Sequence, residues 1–146
     1  MLGWRSGAGV VVTVMGLVGC STGDRTLPSD PTAAAGSLVG PTWHLTSIGG
    51  QPIFSGTTLT AEFSSEDRVS GTAGCNRYMG SAKAKAGRLS VGALGSTRMA
   101  CDPEGVMAQE GRYLAALGAA TSYTVSGDEL RLGPSAAEAT LVFTSR

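Results

Sequence analysis

The chain has 146 residues, with Lys+Arg and Asp+Glu balanced at 11 each, 15% charged residues, 5% aromatics and 22 glycines. That length holds one domain plus a processed segment and excludes two ordinary domains. The composition is turn-rich and globular, which excludes a disordered chain, and nothing in the balance of charge calls for nucleic acid as a partner.

Residues 1–19 read as a secretory leader. Arg5 supplies the positive start, and Ala8 to Val18 is an apolar run of 11 residues, about half of what a membrane-spanning helix needs. The run ends in Leu17-Val18-Gly19-Cys20, which resembles the lipobox of bacterial lipoproteins, whose cysteine is acylated and becomes the mature N-terminus. Three cysteines are odd for an exported protein, and committing Cys20 to lipid leaves Cys75 and Cys101 as a pair. Residues 20–37 are small, polar and Pro-punctuated and read as a tether. Its sixteen residues from Ser21 to Gly36 span about 20–25 Å as a coil. Residues 38–146 form the domain.

In that domain, Trp43 to Ile48 alternates as a half-buried strand and stops at Gly49-Gly50. Gln51 to Gly56 reads as a loop. Thr58 to Phe63 is a second strand, with Leu59, Ala61 and Phe63 on one face. After a polar turn at Ser64–Asp67, a third strand starts at Arg68 and makes the pair a hairpin. Ser81 to Gly87 is either an edge strand, guarded by Lys83 and Lys85, or a loop. Arg88 to Val91 is a short strand. Asp102-Pro103-Glu104 then carries the start signals of a helix. The helix is expected over about 103–117, with Met107, Leu114 and Leu117 inward, Val106 and Tyr113 at the edge, Glu110 interrupting the stripe, and Gly118 as its stop. Strands follow at Ser122–Ser126, Glu129–Leu132 and Ala139–Thr144. The order predicts an α+β domain, a mostly antiparallel sheet or small open barrel with one helix.

Several spaced blocks in this chain carry a resemblance. Thr42-Trp43-x-Leu45, Gly74-Cys75-Asn76-Arg77-Tyr78-x-Gly80 and Leu89-x-Val91 are followed by Ser96-Thr97-Arg98-Met99-Ala100-Cys101. Glu110-x-x-Tyr113-Leu114-x-Ala116-Leu117, Leu130-x-Leu132 and Leu141-x-Phe143 complete the set. From Pro41 to Phe143 the chain is similar to the META domain, the family that includes heat-inducible bacterial lipoproteins related to HslJ. The resemblance implies a compact antiparallel β domain with one helix, in an envelope lipoprotein or secreted protein. It also implies links to heat response, to motility or secretion, and to resistance to a coumarin antibiotic. No catalytic residues come with it. An aromatic usual in the family is replaced by Ala82 here, which implies looser packing of that edge.

The remaining candidates have two readings each. Cys75 and Cys101 are a disulfide, worth about 3.5 kcal/mol by chain entropy, or else a redox pair or a nucleophile served by His44. The spacing is not C-x-x-C, and the disulfide is favoured. A lone histidine with two bonded cysteines cannot hold zinc, and Ser70, Ser96 and Ser122 lack a nucleophile-elbow setting, so no catalytic residue, metal or cofactor is assigned. Asn76, Arg77 and Tyr78 either build a backbone corner or, with Arg98, line a binding surface. Arg68, Arg77, Lys83, Lys85, Arg88 and Arg98 form an acid-free basic segment. It is either solvated, with alternation spreading the charges over both faces of strands, or contacts anionic headgroups or envelope polymers. The expected protein is a membrane-anchored envelope lipoprotein, facing the extracytoplasmic side, with a non-catalytic binding or stress-support role. A structural or chaperone-like assembly role for envelope or secretion proteins is the alternative, ahead of a Cys-dependent enzyme.

Overall fold

The computed structural model describes residues 36–146 except Glu66 and 102–104. The leader, Cys20 and nearly all of the tether therefore lie outside the described residues, as do the helix-start signals at Asp102–Glu104.

Ten strands and one helix are present among the described residues: β1 (Thr42–Ile48), β2 (Gln51–Pro52), β3 (Thr60–Ser64), β4 (Arg68–Thr72), β5 (Arg77–Lys85), β6 (Arg88–Val91), β7 (Gly95–Ser96), α1 (Val106–Ala119), β8 (Ser122–Ser126), β9 (Glu129–Gly133) and β10 (Leu141–Thr144). Neighbouring strands pair antiparallel in the order β10-β9-β8-β6-β5-β4-β3-β1, and β10 also pairs with β1. The sheet therefore closes into an eight-stranded barrel, where an open one was expected. Closure removes the free edges that an open sheet must protect.

A bulge helps β1 close the ring. Leu45 faces Phe143 and Ser47 faces Val142, so Thr46 is the extra residue. A one-residue bulge switches the phase of a strand. Trp43 and Leu45 point into the core before it, and Ile48 packs against the core after it. Gly49 and Gly50 both have positive φ, 57° and 78°, the geometry of a tight two-residue hairpin. They fold the expected loop back as β2, paired with the end of β1.

Ser81–Lys85 is strand and not loop, and past Ser81 it is paired with β6 alone. It completes the nine-residue β5, which pairs with β4 over Arg77–Ser81 and with β6 over Ala82–Lys85. Ala82 points inward and is buried in the core.

The helix runs through Gly118 to Ala119, and its buried face is Val106, Gln109, Glu110, Tyr113 and Leu117. This face is rotated from the expected one, leaving Met107 41% exposed. The rotation has a polar cause. Gln109 Oε1 accepts the Phe54 N–H at 2.8 Å and its Nε2 donates to Thr57 Oγ1 at 3.0 Å, while Glu110 binds the β4–β5 corner. Two polar side chains are thus drawn inward because their hydrogen bonds are all made there. Tyr113, Leu117 and Ala120 join Trp43, Leu45, Phe63, Val69, Leu130, Leu132, Leu141 and Phe143 in one core.

Candidate functional site

The β4–β5 connection is a stapled corner. Gly74 takes φ 108°, a conformation that suits glycine, and the Ala73 N–H closes the turn on the Asn76 carbonyl at 2.7 Å. Cys75 at the tip is disulfide-bonded to Cys101, with Cα atoms 6.0 Å apart, so both thiols are committed.

Asn76 is 1% exposed and every polar position of its side chain is used. Its Oδ1 accepts the Met99 N–H at 2.7 Å and the Thr97 hydroxyl at 2.8 Å. Its Nδ2 donates to Glu110 Oε1 at 2.7 Å and the Met99 carbonyl at 3.1 Å. Glu110 Oε2 accepts the backbone N–H groups of Asn76 at 2.8 Å and Cys75 at 3.3 Å. One amide and one carboxylate thereby fasten three distant pieces of chain: the corner, the 97–101 segment and α1. A side-chain amide with two donors and two acceptors is saturated by these bonds.

Tyr78, next but one along, is also internal. Its hydroxyl lies 2.8 Å from the Thr60 carbonyl and 2.7 Å from the Tyr113 hydroxyl, which is itself 3.1 Å from that carbonyl. The rings meet edge to face at 5.7 Å. The Thr60 carbonyl is free for this because the regular β3–β4 ladder stops at Glu62 opposite Ser70. The Thr72 N–H donates to Thr60 Oγ1 instead, at 3.1 Å. Gly71 makes the arrangement possible, since a Cβ there would clash with the Thr60 carbonyl oxygen. Burial pushes both tyrosine hydroxyls well above the ordinary phenol range.

The outer surface beside this cluster is a groove of about 740 Å³. Thr42, Glu62, Ser70 and Met79 reach it from β1, β3, β4 and β5, with Thr72, Arg77, Ser96 and Thr97 beyond them. The row is set by register: Thr42 faces Glu62, Glu62 faces Ser70, Ser70 faces Met79, and Met79 faces Gly95 of β7. Thr42 Oγ1 donates to Glu62 Oε1 at 3.1 Å. Met79 is 57% exposed, so the groove offers a thioether among hydroxyls, one guanidinium and one carboxylate. That set can recognise a ligand by charge, hydrogen bonds and apolar contact.

Of the proposed surface residues, Arg77 and Tyr78 both line the groove, and Arg98 is exposed on the segment after β7. Asn76 and Tyr78 have their side chains buried because their polar atoms tie the fold together. His44 stands on β1 between Thr60 and Thr144, in none of the hydrogen bonds of the corner. Ser70 and Ser96 line the groove, and Ser122 sits on β8 opposite Arg88. Among the described residues no three metal-ligating side chains cluster. Sequence reasoning missed Thr60, Glu62, Thr72 and Met79 as groove residues. A signal for Met79 was present in the strand alternation, which puts it on the solvent side of Tyr78.

The basic segment is not divided between two faces. Arg77, Lys83 and Lys85 occupy the outward positions of β5, and Arg68 and Arg88 the outward positions of β4 and β6, with Tyr78, Ala82, Val69 and Leu89 inward. A barrel has only one solvated face, so alternation concentrates these charges instead of spreading them.

The META domain family model matches residues 36–146 of the chain. An NMR structure of a protein from Burkholderia xenovorans is 31% identical, with a TM-score of 0.55, covering 75% of this chain and 83% of that one. A second NMR structure, 24% identical and sharing the fold, has a TM-score of 0.57 over 72% of this chain and 88% of its own. None of the curated proteins matches the chain.

Proposed function

As the chain belongs to the META domain family, we propose that it is a cell-envelope lipoprotein whose barrel is a non-catalytic binding module. In this reading acyl chains on Cys20 hold it in the membrane, facing the extracytoplasmic side, and its role is the stress support expected of HslJ-like relatives. The observation that carries the binding role is the groove. A rigid closed barrel presents Arg77, Glu62, Met79 and a row of hydroxyls at one concave surface. The cysteine pairing supports the location. The Cys75–Cys101 disulfide suits an oxidising compartment and leaves Cys20 as the remaining cysteine of three, at the end of a leader-like segment. Two or three acyl chains, at about 0.8 kcal/mol per buried CH₂, are enough for durable anchoring.

The test is an NMR titration of the labelled protein with solubilised envelope components fractionated by charge. Amide shifts clustered at Thr60, Ser70, Thr72 and Met79, and lost in Arg77→Ala, are the expected result. Shifts elsewhere on the barrel with a silent groove contradict it.

A further inference from the structure

We propose that the outer face of β4, β5 and β6 is a docking surface for anionic phospholipid headgroups. Four cations adjoin there by strand register. Arg68 faces Ser81 across β4–β5, Lys83 faces Ser90, and Lys85 faces Arg88 across β5–β6. Ser81 to Lys85 covers about 14 Å of strand, so the strip is long enough to meet several headgroups at once. All four side chains are exposed. None has an ion-pair partner among the described residues, where the ion pairs are Arg131–Glu129 and Arg146–Asp128. The described acids nearest the strip are Asp67, adjoining Arg68 in the β3–β4 turn, and Glu62, opposite Ser70.

One feature sets this strip apart from a merely solvated face. Lys85 and Arg88 are directly opposite, a like-charge pairing that weakens a sheet. The cost of gathering these charges is offset when an anionic surface approaches. A headgroup layer fits better than nucleic acid, since Ser70, Met79, Ser81 and Ser90 are the outward residues between the cations and supply no aromatic ring for bases to stack on.

The geometry of approach rests on the anchored reading above. Gly36 packs against Val125 and the Gly127 carbonyl, so the chain joins the barrel at the far end of β8 from Ser122, the residue that faces Arg88. That separation is about 10–14 Å along the strand, within the roughly 20–25 Å reach of the sixteen preceding residues. An anchor at Cys20 would let the strip lie on the same membrane.

The experiment exploits the fact that Lys83 and Lys85 are the chain's only lysines. The full chain is mixed with vesicles of phosphatidylcholine, alone or with phosphatidylglycerol added, and labelled with an amine-reactive reagent, with modification of each lysine read by peptide mass spectrometry. The N-terminal segment carries Arg5 and Arg25, so the strip's own share is read against the variant Arg68→Gln/Arg88→Gln, which keeps that segment, whether or not Cys20 is acylated. Labelling of Lys83 and Lys85 is expected to fall about fivefold or more on the anionic vesicles, as about one such factor per cation near the surface implies. Recovery is expected at about 1 M salt, where screening acts within about 3 Å, and in the exposed double variant Arg68→Gln/Arg88→Gln. Equal labelling on both vesicles, or protection insensitive to salt, overturns the proposal. Protection by nucleic acid or a soluble anionic polymer with none by the vesicles overturns it as well.

Discussion

The hydroxyl oxygens of Tyr78 and Tyr113, 35 positions apart in the chain, lie 2.7 Å from each other and share the Thr60 carbonyl. The contact ties α1 to β5 and β3 at the centre of the core. Two hydroxyl protons serve three oxygens, so either tyrosine alone can still satisfy the carbonyl. Tyr78→Phe and Tyr113→Phe should each cost about 1 kcal/mol. The double variant should exceed their sum by about 1–3 kcal/mol, because it alone leaves a buried carbonyl without a donor. Urea denaturation of the four proteins measures this directly, and simple additivity would show that the pair is not coupled.

The same pair sets a pH dependence. Burial holds both hydroxyls protonated in the folded protein well beyond the ordinary value, whereas the unfolded chain releases them near pH 10. Above that pH the unfolded state binds fewer protons than the folded one, so stability falls as pH rises. The contribution is fully present below about pH 10 and declines above it by up to about 1.4 kcal/mol per pH unit per tyrosine. Denaturation midpoints at pH 9 and 11 should diverge in the wild type, and the divergence should shrink in the double phenylalanine variant.

Asn76 and Glu110 make a sharper mutational test. Asn76→Ala removes four hydrogen bonds and should cost about 3 kcal/mol or more. Asn76→Asp keeps the shape but sets a second carboxylate at the position 2.7 Å from Glu110 Oε1 and against the Met99 carbonyl. It should be at least as destabilising as alanine at neutral pH. A thermal melt of Asn76→Asp above that of Asn76→Ala would refute the latch.

Two glycine positions should respond in opposite directions. Gly111 lies inside α1 with open space where a Cβ would go, so Gly111→Ala should stabilise by about 0.5–1 kcal/mol. At Gly71 the same change drives a Cβ into the Thr60 carbonyl oxygen and should lower stability by several kcal/mol. Chemical denaturation of both variants separates conformational freedom from close approach.

Much of the barrel was legible because alternation along Trp43–Leu45, Leu59–Phe63 and Leu130–Leu132 is strong, and two inward residues per strand suffice to orient a stave. Closure was not legible. It depends on β10 meeting β1 through a bulge at Thr46, and no local preference marks that residue. The helix face was misjudged for a related reason. Glu110 read as an interruption of the apolar stripe and Gln109 was not singled out, and only the N–H groups brought to them by tertiary structure make their burial favourable. The disulfide was legible from the leader-like N-terminal sequence and cysteine parity. Within Asn76-Arg77-Tyr78 the division of labour was not, since strand phase alone turns Arg77 outward between two buried neighbours.

The central claim is anchored display, and Cys20 tests it most directly. The protein isolated from its own cells, and a Cys20→Ala variant, should be compared by membrane fractionation and intact-mass spectrometry. The account predicts wild-type protein in the membrane fraction, beginning at Cys20 and heavier than its sequence by its acyl chains, and the variant released from the membrane. An unmodified Cys20, or equal membrane association of the two proteins, would contradict it.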